Sequence, residues 1–256
     1  MRMADSFLFK ETGIHRDWFS FLSDENQSLI IHIEEKIRKT GFTPPADKVL
    51  RFLSFPLSSA RIIILGQDPY PQPGVATGRA FEVGTLRSWN QPFKNISLKN
   101  ILRGLHKAYT GKVLKYNQLR EKFDKEFPVL PPGKLFSHWE DQGVLLLNTA
   151  FTCQPGMPGS HQRLWKDFTD RLLLFIRNKT PNATWFLWGN NARLATRNIE
   201  LPKSIETLHP MMCYYLPGRE KDFLYGKVNC FEPFMDEIDW TGVSLKKGAQ
   251  ASSVLF

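Results

Sequence analysis

The sequence is poor in cysteine and has no clustered histidine. Its 256 residues include three cysteines, Cys153, Cys213 and Cys230, and none lies in a Cys-x-x-Cys pair. Because three thiols cannot all pair within one chain, we expect no disulfide framework and a reducing, intracellular compartment. The six histidines are scattered, without a His-Glu-x-x-His motif. The sequence therefore predicts neither a metal site nor any other cofactor.

Long apolar runs are also missing. No stretch approaches the roughly 20 consecutive apolar residues of a membrane-spanning helix. The apolar run in the N-terminal segment MRMADSFLFKETG is too short and too broken for a signal peptide. We expect a protein with no membrane partner that acts as a monomer in the cytoplasm, or in the nucleus or mitochondrion if the source is eukaryotic.

What the sequence does have is apolar content and positive charge. Hydrophobic residues make up 42% of the chain and charged residues 23%. This is enough to bury a substantial core, and we expect one domain over residues 1–256 with a loose, basic tail at 240–256. The net charge of +9 favours a polyanionic partner. A basic protein without such a partner is the alternative interpretation of the charge alone.

Four short apolar runs predict buried strands, at residues 62–65, 144–147, 184–187 and 204–208. The first three are nearly continuous, as in strands that are covered on both faces. Helical patterns occur at 23–39, 47–55, 98–108, 134–141, 164–176 and 191–197, and the segment 112–133 is interpreted as a helix plus a loop. The alternation predicts an α/β fold in a single domain, with a central four-stranded, mostly parallel sheet and helices on both faces.

Polar side chains follow each predicted strand. In open α/β sheets the ligand site lies beyond the carboxyl ends of the strands. The residues at that position are Gln67-Asp68-Pro69-Tyr70, Asn148, Gly189-Asn190 and His209-Pro210. Taken singly, each is better explained as a helix cap or a hydrogen-bonded polar residue. Because all of them converge on one edge of the predicted sheet, we expect a functional site there.

The first of these groups carries a family resemblance. The hexapeptide Leu65-Gly66-Gln67-Asp68-Pro69-Tyr70 resembles a motif of the family 1 uracil-DNA glycosylases. Further matches follow in order from about Phe42 to Asn229. They are Phe42-Thr43-Pro44-Pro45, Val49-Leu50-Arg51-Phe52, an aromatic stacking strand at 78–83, a serine-led helix at 97–101, Leu145-Leu146-Leu147-Asn148, Ser160-His161, Leu187-Trp188-Gly189 and Thr207-Leu208-His209-Pro210. Several ordered matches are more specific than one motif.

The resemblance implies a DNA-repair enzyme that flips uracil out of single- or double-stranded DNA and hydrolyses its N-glycosidic bond without a cofactor. Phe81 is expected to stack on the flipped base. Asn148 is expected to read the Watson–Crick edge of uracil, where a wrong base leaves buried polar groups unpaired. Tyr70 is expected to lie against C5 of uracil, where its ring excludes the methyl group of thymine.

The same resemblance implies the catalytic roles. Asp68, in its ionised form, is expected to stabilise the oxocarbenium-like sugar and to orient or deprotonate the attacking water. His209, in its neutral form, is expected to donate a hydrogen bond to uracil O2, where negative charge develops. Gln67 is expected to help at the same oxygen.

DNA contacts are expected from loops around this pocket. They fall on Pro71, Ser97, Ser160, Gly189, Asn190, Met211, Met212, Cys213 and Tyr214, and Lys94, Lys99, Arg193 and Arg219 add salt-dependent attraction. The apolar wedge that fills the vacated base stack is expected within residues 211–215. The alternative is that these side chains simply pack the loop itself.

Three departures from the family pattern fall on these loops. Pro71 stands where the family usually has histidine, Asn95-Ile96-Ser97 replaces Pro-Pro-Ser, and Met211-Met212-Cys213-Tyr214 replaces Ser-Pro-Leu-Ser. We expect a working enzyme with altered DNA grip. A protein that binds uracil or bent DNA without cutting is the first alternative. Another α/β enzyme, such as a nucleotide hydrolase, is the second, and the absence of G-x-x-x-x-G-K-[ST] and G-x-G-x-x-G disfavours it.

Overall fold

A four-stranded parallel sheet forms the centre of the computed structural model, which describes residues 6–10 and 13–245. The strands run in the order β2-β1-β3-β4 and comprise β1 (Ile62–Gly66), β2 (Val144–Asn148), β3 (Thr184–Trp188) and β4 (Lys203–Thr207). All three neighbouring pairs are parallel. The four strand predictions are confirmed to within one residue at each end. Because all strands run the same way, their carboxyl ends meet at one edge of the sheet.

Eight α-helices among the described residues precede β1 or connect the strands. They are α1 (Phe7–Lys10), α2 (Asp24–Thr40), α3 (Ala46–Val49), α4 (Ile96–Thr110), α5 (Tyr116–Arg120), α6 (Pro132–Asp141), α7 (Gln162–Lys179) and α8 (Asn190–Thr196). The predicted Ser23 cap of α2 is confirmed, since its side chain accepts a hydrogen bond from the Asn26 backbone N–H. The helix-plus-loop interpretation of 112–133 is also confirmed. No helix among the described residues is long and apolar enough to cross a membrane.

Each face of the sheet packs against its own helices. On one face, alternate strand residues such as Ile63 and Leu145 join a core with α2 and α7. On the other face, Ile64 and Leu146 join a second core with α4 and α6. This confirms the predicted α/β architecture with helices on both faces of one domain. That the domain extends over all of residues 1–256 stays a prediction.

The predicted helix at 47–55 is wrong. The chain forms α3 and then a 3-10 helix at Arg51–Ser54, with a break at Leu50 (φ −101°, ψ 24°). Val49, Leu50, Phe52 and Leu53 are all buried and join the core on the α2 and α7 side of the sheet. Packing in the folded protein therefore overrides the local helical pattern.

Two further predictions need correction. The stacking strand expected at 78–83 is a turn, with Gly78 at φ 89° and Phe81 at φ 65°. A Cβ at Gly78 would lie 2.2 Å from the Lys48 carbonyl oxygen, so the chain turns where only glycine fits. The tail predicted to be loose from Trp240 onwards begins as core, because Trp240 is fully buried and donates from its indole to the Phe231 carbonyl. Its basic stretch Lys246-Lys247-Gly248 lies outside the described residues.

Candidate active site

The loops that follow β1 and β2 are joined by backbone hydrogen bonds. The Thr149 N–H donates to the Gly66 carbonyl at 3.0 Å, and the Ala150 N–H donates to the Gln67 carbonyl at 2.9 Å. The Thr149 hydroxyl adds a second bond to the Gln67 carbonyl, also at 2.9 Å. The segment that carries Gln67 and Asp68 is therefore fixed to the end of β2.

Asn148 occupies a slot that the absence of a side chain at Gly66 creates. A Cβ at Gly66 would lie 2.3 Å from Asn148 Oδ1 and 2.9 Å from the Ala80 Cβ. Both distances are too short for any residue but glycine. The Asn148 side chain is buried, so its amide is held at the sheet edge in a protected position.

The rings of Phe81, Trp188 and His209 form one wall of the candidate site. The Phe81 ring lies 5.2 Å from the Trp188 ring and 6.1 Å from the His209 ring, centroid to centroid. The Tyr70 hydroxyl donates to the Phe81 carbonyl at a long 3.5 Å. Burial raises the pKa of the Tyr70 phenol, so this ring stays neutral. The structure thus brings Tyr70, Phe81 and His209 together.

A buried ion cluster holds the turn that presents Phe81. Arg79 Nη1 lies 3.1 and 3.2 Å from the two carboxylate oxygens of Glu82, and Arg79 Nη2 pairs with Glu140 of α6. The side chains of Arg79 and Glu82 are both buried. Removing one partner from such a cluster leaves a buried charge unpaired and is strongly destabilising. Sequence reasoning missed this cluster because Glu140 lies far along the chain.

Asp68 projects from the β1 loop toward a second loop. Its Oδ2 accepts a hydrogen bond from the Gly159 N–H at 2.6 Å. Partial burial raises the pKa of the Asp68 carboxyl, and the Gly159 hydrogen bond opposes that shift. The Ser160 hydroxyl oxygen accepts from the Gln154 N–H at 2.7 Å and so stabilises the same loop. Pro71 contacts this loop as well, since its carbonyl accepts from the Gly156 N–H.

The protonation of His209 follows from one hydrogen bond. The Met211 N–H donates to His209 Nδ1 at 3.1 Å, so this nitrogen carries the lone pair and the proton lies on Nε2. Burial lowers the pKa of His209 and favours this neutral form. Gly189 (φ 90°) allows the ring to sit there, because a Cβ would lie 2.8 Å from the His209 Cβ. His209 is thus a neutral imidazole with one N–H to donate.

A cavity of about 330 Å³ opens next to His209. Its lining includes Gln67, Gly189, Asn190, Met211, Met212 and Arg219. One wall is fixed by the Asn191 amide, which donates to Gln67 Oε1. The structure therefore brings five of the predicted site residues together with His209 around one opening.

The loop after His209 is anchored by α4. Asn100 Nδ2 donates to the Pro210 carbonyl at 2.6 Å, and Arg103 Nη1 donates to Asn100 Oδ1 at 2.7 Å. Sequence reasoning missed this anchor, although a buried asparagine in a helix is a signal that could have revealed it. Ser97, at the start of the same helix, is buried.

Loop residues 211–214 divide into exposed and inward-facing side chains. Met211, Met212 and Tyr214 are all about half exposed. Cys213 turns inward and its thiol donates to the Pro210 carbonyl at 3.1 Å. Burial raises the pKa of Cys213 to about 12. Cys213 therefore packs within the loop, as the alternative interpretation expected for the whole stretch. The side chains of Met211, Met212 and Tyr214 remain accessible to a ligand.

A family model matches most of this chain. The model of the uracil DNA glycosylase superfamily matches residues 53–230, which include the whole sheet and every loop described above. Within the residues that the structure describes, no group of three His, Cys, Asp or Glu side chains could hold a metal ion.

Curated relatives match over much of this chain. The uracil-DNA glycosylase of Bordetella petrii is 35% identical over 167 residues, which cover 64% of this chain and 57% of that protein. Uracil-DNA glycosylase 1 of Listeria monocytogenes is 30% identical over 236 residues, which cover 88% of this chain and 97% of that protein.

Solved structures show the same architecture. The wild-type UNG of Nitratifractor salsuginis is 26% identical and superposes with a TM-score of 0.64 over 80% of this chain and 87% of that one. The mimivirus uracil-DNA glycosylase, 24% identical, has a TM-score of 0.60 over 83% of this chain and 72% of that one, and supports the fold alone. Since the family model spans more than half of the sequence, this chain belongs to the uracil DNA glycosylase superfamily.

Proposed function

We propose that this protein removes uracil from DNA by hydrolysing the bond between the base and deoxyribose, which leaves an abasic site. One observation carries the proposal. A neutral His209, its free N–H on Nε2, shares a wall with Phe81 and Tyr70 at the edge of the sheet that also presents Asp68. That combination offers a stacking surface, a hydrogen-bond donor and a carboxylate to one flipped base.

Recognition of uracil is assigned to the buried part of the site. Phe81 stacks on the base, and the Asn148 amide pairs with the N3–H and O4 of uracil. Cytosine presents the opposite donor and acceptor pattern, so its binding leaves buried polar groups unpaired, at about 1–3 kcal/mol each. Tyr70 closes the pocket against C5, and its neutral, buried ring bars the methyl group of thymine by contact.

Cleavage is assigned to Asp68 and His209. The electron pair of the C1′–N1 bond leaves with uracil, whose O2 receives a hydrogen bond from His209 Nε2–H. The Asp68 carboxylate stabilises the positive charge on the sugar and directs a water oxygen to C1′, accepting the proton that the water gives up. Gln67, held by Asn191, adds a polar group near O2.

DNA contact is assigned to the surrounding loops. Met211 and Met212 are exposed beside His209 and suit an apolar wedge. Pro71, Ser160, Gly189, Asn190 and Tyr214 complete the proposed contact set, whereas the buried Ser97 and the inward-facing Cys213, both expected there from the sequence, do not face DNA. The net charge of +9 supports a polyanionic partner. Action as a cytoplasmic monomer stays a prediction.

An oligonucleotide assay tests the proposal. A strand with one uracil is incubated with the protein and a chelator, then treated with alkali, which breaks the strand at abasic sites. We expect breakage at uracil and not at thymine. Asp68→Asn should reduce the rate by about 10²–10⁴-fold, whereas the exposed Asp236→Asn should not. Tight binding without breakage would support the non-cutting alternative, which the departures at Pro71 and Met211 favour.

A further inference from the structure

Three consecutive large side chains stand in solvent beyond the proposed wedge. Tyr214, Tyr215 and Leu216 are 46%, 79% and 54% exposed, and we call them the ridge. Tyr215 is the most exposed large apolar side chain among the described residues. Contiguous exposed apolar side chains mark binding surfaces more often than isolated ones.

Arg219 holds the ring of Tyr214, the first residue of the ridge, in place. The guanidinium carbon of Arg219 lies 3.6 Å from the centroid of the Tyr214 ring, and Arg219 Nη1 donates to the Tyr214 hydroxyl at 2.7 Å. Arg219 also donates to the Met212 carbonyl. One arginine therefore ties Tyr214 to the wedge.

Asp222 fixes this arginine. The Asp222 side chain is fully buried, and its Oδ2 pairs with Arg219 at 3.0 Å and accepts from the Tyr214 N–H at 3.2 Å. Its Oδ1 accepts from the backbone N–H groups of Leu224 and Tyr225, both at 2.9 Å. A carboxylate with this many partners makes the ridge a rigid part of the structure.

The ring of Tyr215, the second residue of the ridge, packs against another aromatic ring. Tyr215 meets Tyr225 edge to face, with centroids 6.2 Å apart and planes at 81°. The Tyr225 hydroxyl in turn accepts from Arg103 of α4 at 2.9 Å. Tyr215 is thus supported along one edge while most of its surface is open. An aromatic ring that is already ordered loses little conformational entropy when a flat ligand stacks on it.

We propose that the ridge is a stacking site for an unpaired base next to the flipped uracil, so that the protein binds single-stranded DNA through two base sites. This inference rests on the proposed function. The ridge is continuous with the cavity beside His209, since Arg219 lines that cavity together with Met212, donates to the Met212 carbonyl and also stacks on Tyr214. Aromatic rings with a nearby arginine bind unpaired bases of any sequence.

The requirement for an unpaired base commits the proposal to a single strand. In a duplex the neighbours of uracil stay paired, and the faces that flipping uncovers are filled by the proposed wedge, so they are not available to Tyr215. In a single strand those faces are free.

The test uses Tyr215→Ala in an Asp68→Asn background that does not cut. The probe is a short single strand with one uracil and 2-aminopurine as the neighbouring base, on the 5′ side in one probe and on the 3′ side in another. We expect binding to quench the fluorescence of one probe. Tyr215→Ala should abolish that quenching and weaken binding of the single strand by about 5- to 150-fold. Affinity for the matching duplex should change less than about twofold.

Two controls separate stacking from folding or general stickiness. Tyr215→Trp should keep the quenching, because tryptophan also stacks. Phe19→Ala removes another exposed ring, 64% exposed and outside the site, and should change nothing. In the cutting enzyme, Tyr215→Ala should raise KM for single-stranded substrate and leave kcat unchanged.

Two results would overturn the inference. The first is that Tyr215→Ala binds the single strand as tightly as the parent does, as expected if the ridge docks a protein. The second is that Tyr215→Ala loses the same affinity for the single strand and for the duplex. If instead the unmodified enzyme releases no uracil while the quenching depends on Tyr215, the proposed function fails and the stacking site stands.

Discussion

The buried pocket and the exposed loop that follows His209 are built in opposite ways. In the pocket, Gly66 and Gly189 have no side chains and so leave space for Asn148 and His209. In the loop, the ion pair of Arg219 and Asp222 holds exposed apolar side chains in place. The residues of the pocket keep the family pattern, and the loop departs from it. From this comparison we expect the chemistry to be retained and the grip on DNA to be changed.

If this division is correct, a change in the pocket alters kcat and a change in the loop alters DNA affinity. After substitution of Asp68, the largest effect is expected from Gly66→Ala. The new methyl group would displace Asn148 Oδ1, which lies 2.3 Å from the Cβ position. A displacement of about 1 Å in a site can cost about 10²-fold in rate, and we expect that loss in kcat with DNA affinity unchanged.

A matched variant controls for the methyl group itself. Gly133 lies in α6, and a Cβ there would meet nothing within 4 Å. Gly133→Ala should therefore keep full activity. Equal DNA-affinity and kcat losses in Gly66→Ala would break the proposed division between pocket and loop.

The next effect is expected from Arg219→Lys. Lysine keeps a positive charge near Asp222 but loses the flat guanidinium that stacks on Tyr214. We expect DNA affinity to fall about tenfold because the loop is less ordered, while kcat stays within about twofold. Binding titrations and single-turnover rates measure the two quantities, with Arg16→Lys on the surface as control. A kcat loss larger than the affinity loss would contradict the assignment.

The smallest effect is expected from pH within the neutral range. Burial lowers the pKa of His209 below 6.5 and raises that of Asp68 above 3.8. Above about pH 6.5 His209 is therefore neutral, and with the ionised Asp68 that the proposed mechanism requires, kcat/KM should change less than about twofold up to pH 8. In more acidic solution, His209 gains a proton, loses the hydrogen bond from Met211 and the rate falls. A rate that rises steadily from pH 8 to pH 5 would mean that a protonated histidine is the working form.

Sequence patterns predicted the parts of the molecule that depend on local periodicity. The apolar runs located all four strands, and the rule that ligands bind at strand ends located Asp68, Asn148 and His209 before any geometry was known. The family resemblance added Phe81 and Tyr70. Each of these features depends on residues that are close together in the sequence.

The features that sequence reasoning missed depend on partners far apart in the chain. The turn at Phe81 forms because Arg79 reaches Glu140, and the loop is ordered because Asn100 reaches Pro210. Such polar contacts leave no periodic signal. The burial of Trp240 was also missed, because its hydrogen bond to the Phe231 carbonyl follows no periodic pattern in the sequence.

The structure of the protein with bound uracil tests the central claim most directly. We expect the ring to stack on Phe81, with Asn148 at its N3 and O4 edge and His209 Nε2 near O2. A neighbouring groove of about 530 Å³ between α7 and α8, which shares Gln67 and Asn191 with the cavity beside His209, offers uracil another place to bind. Uracil bound in that groove, with the Phe81 wall vacant, would contradict the account.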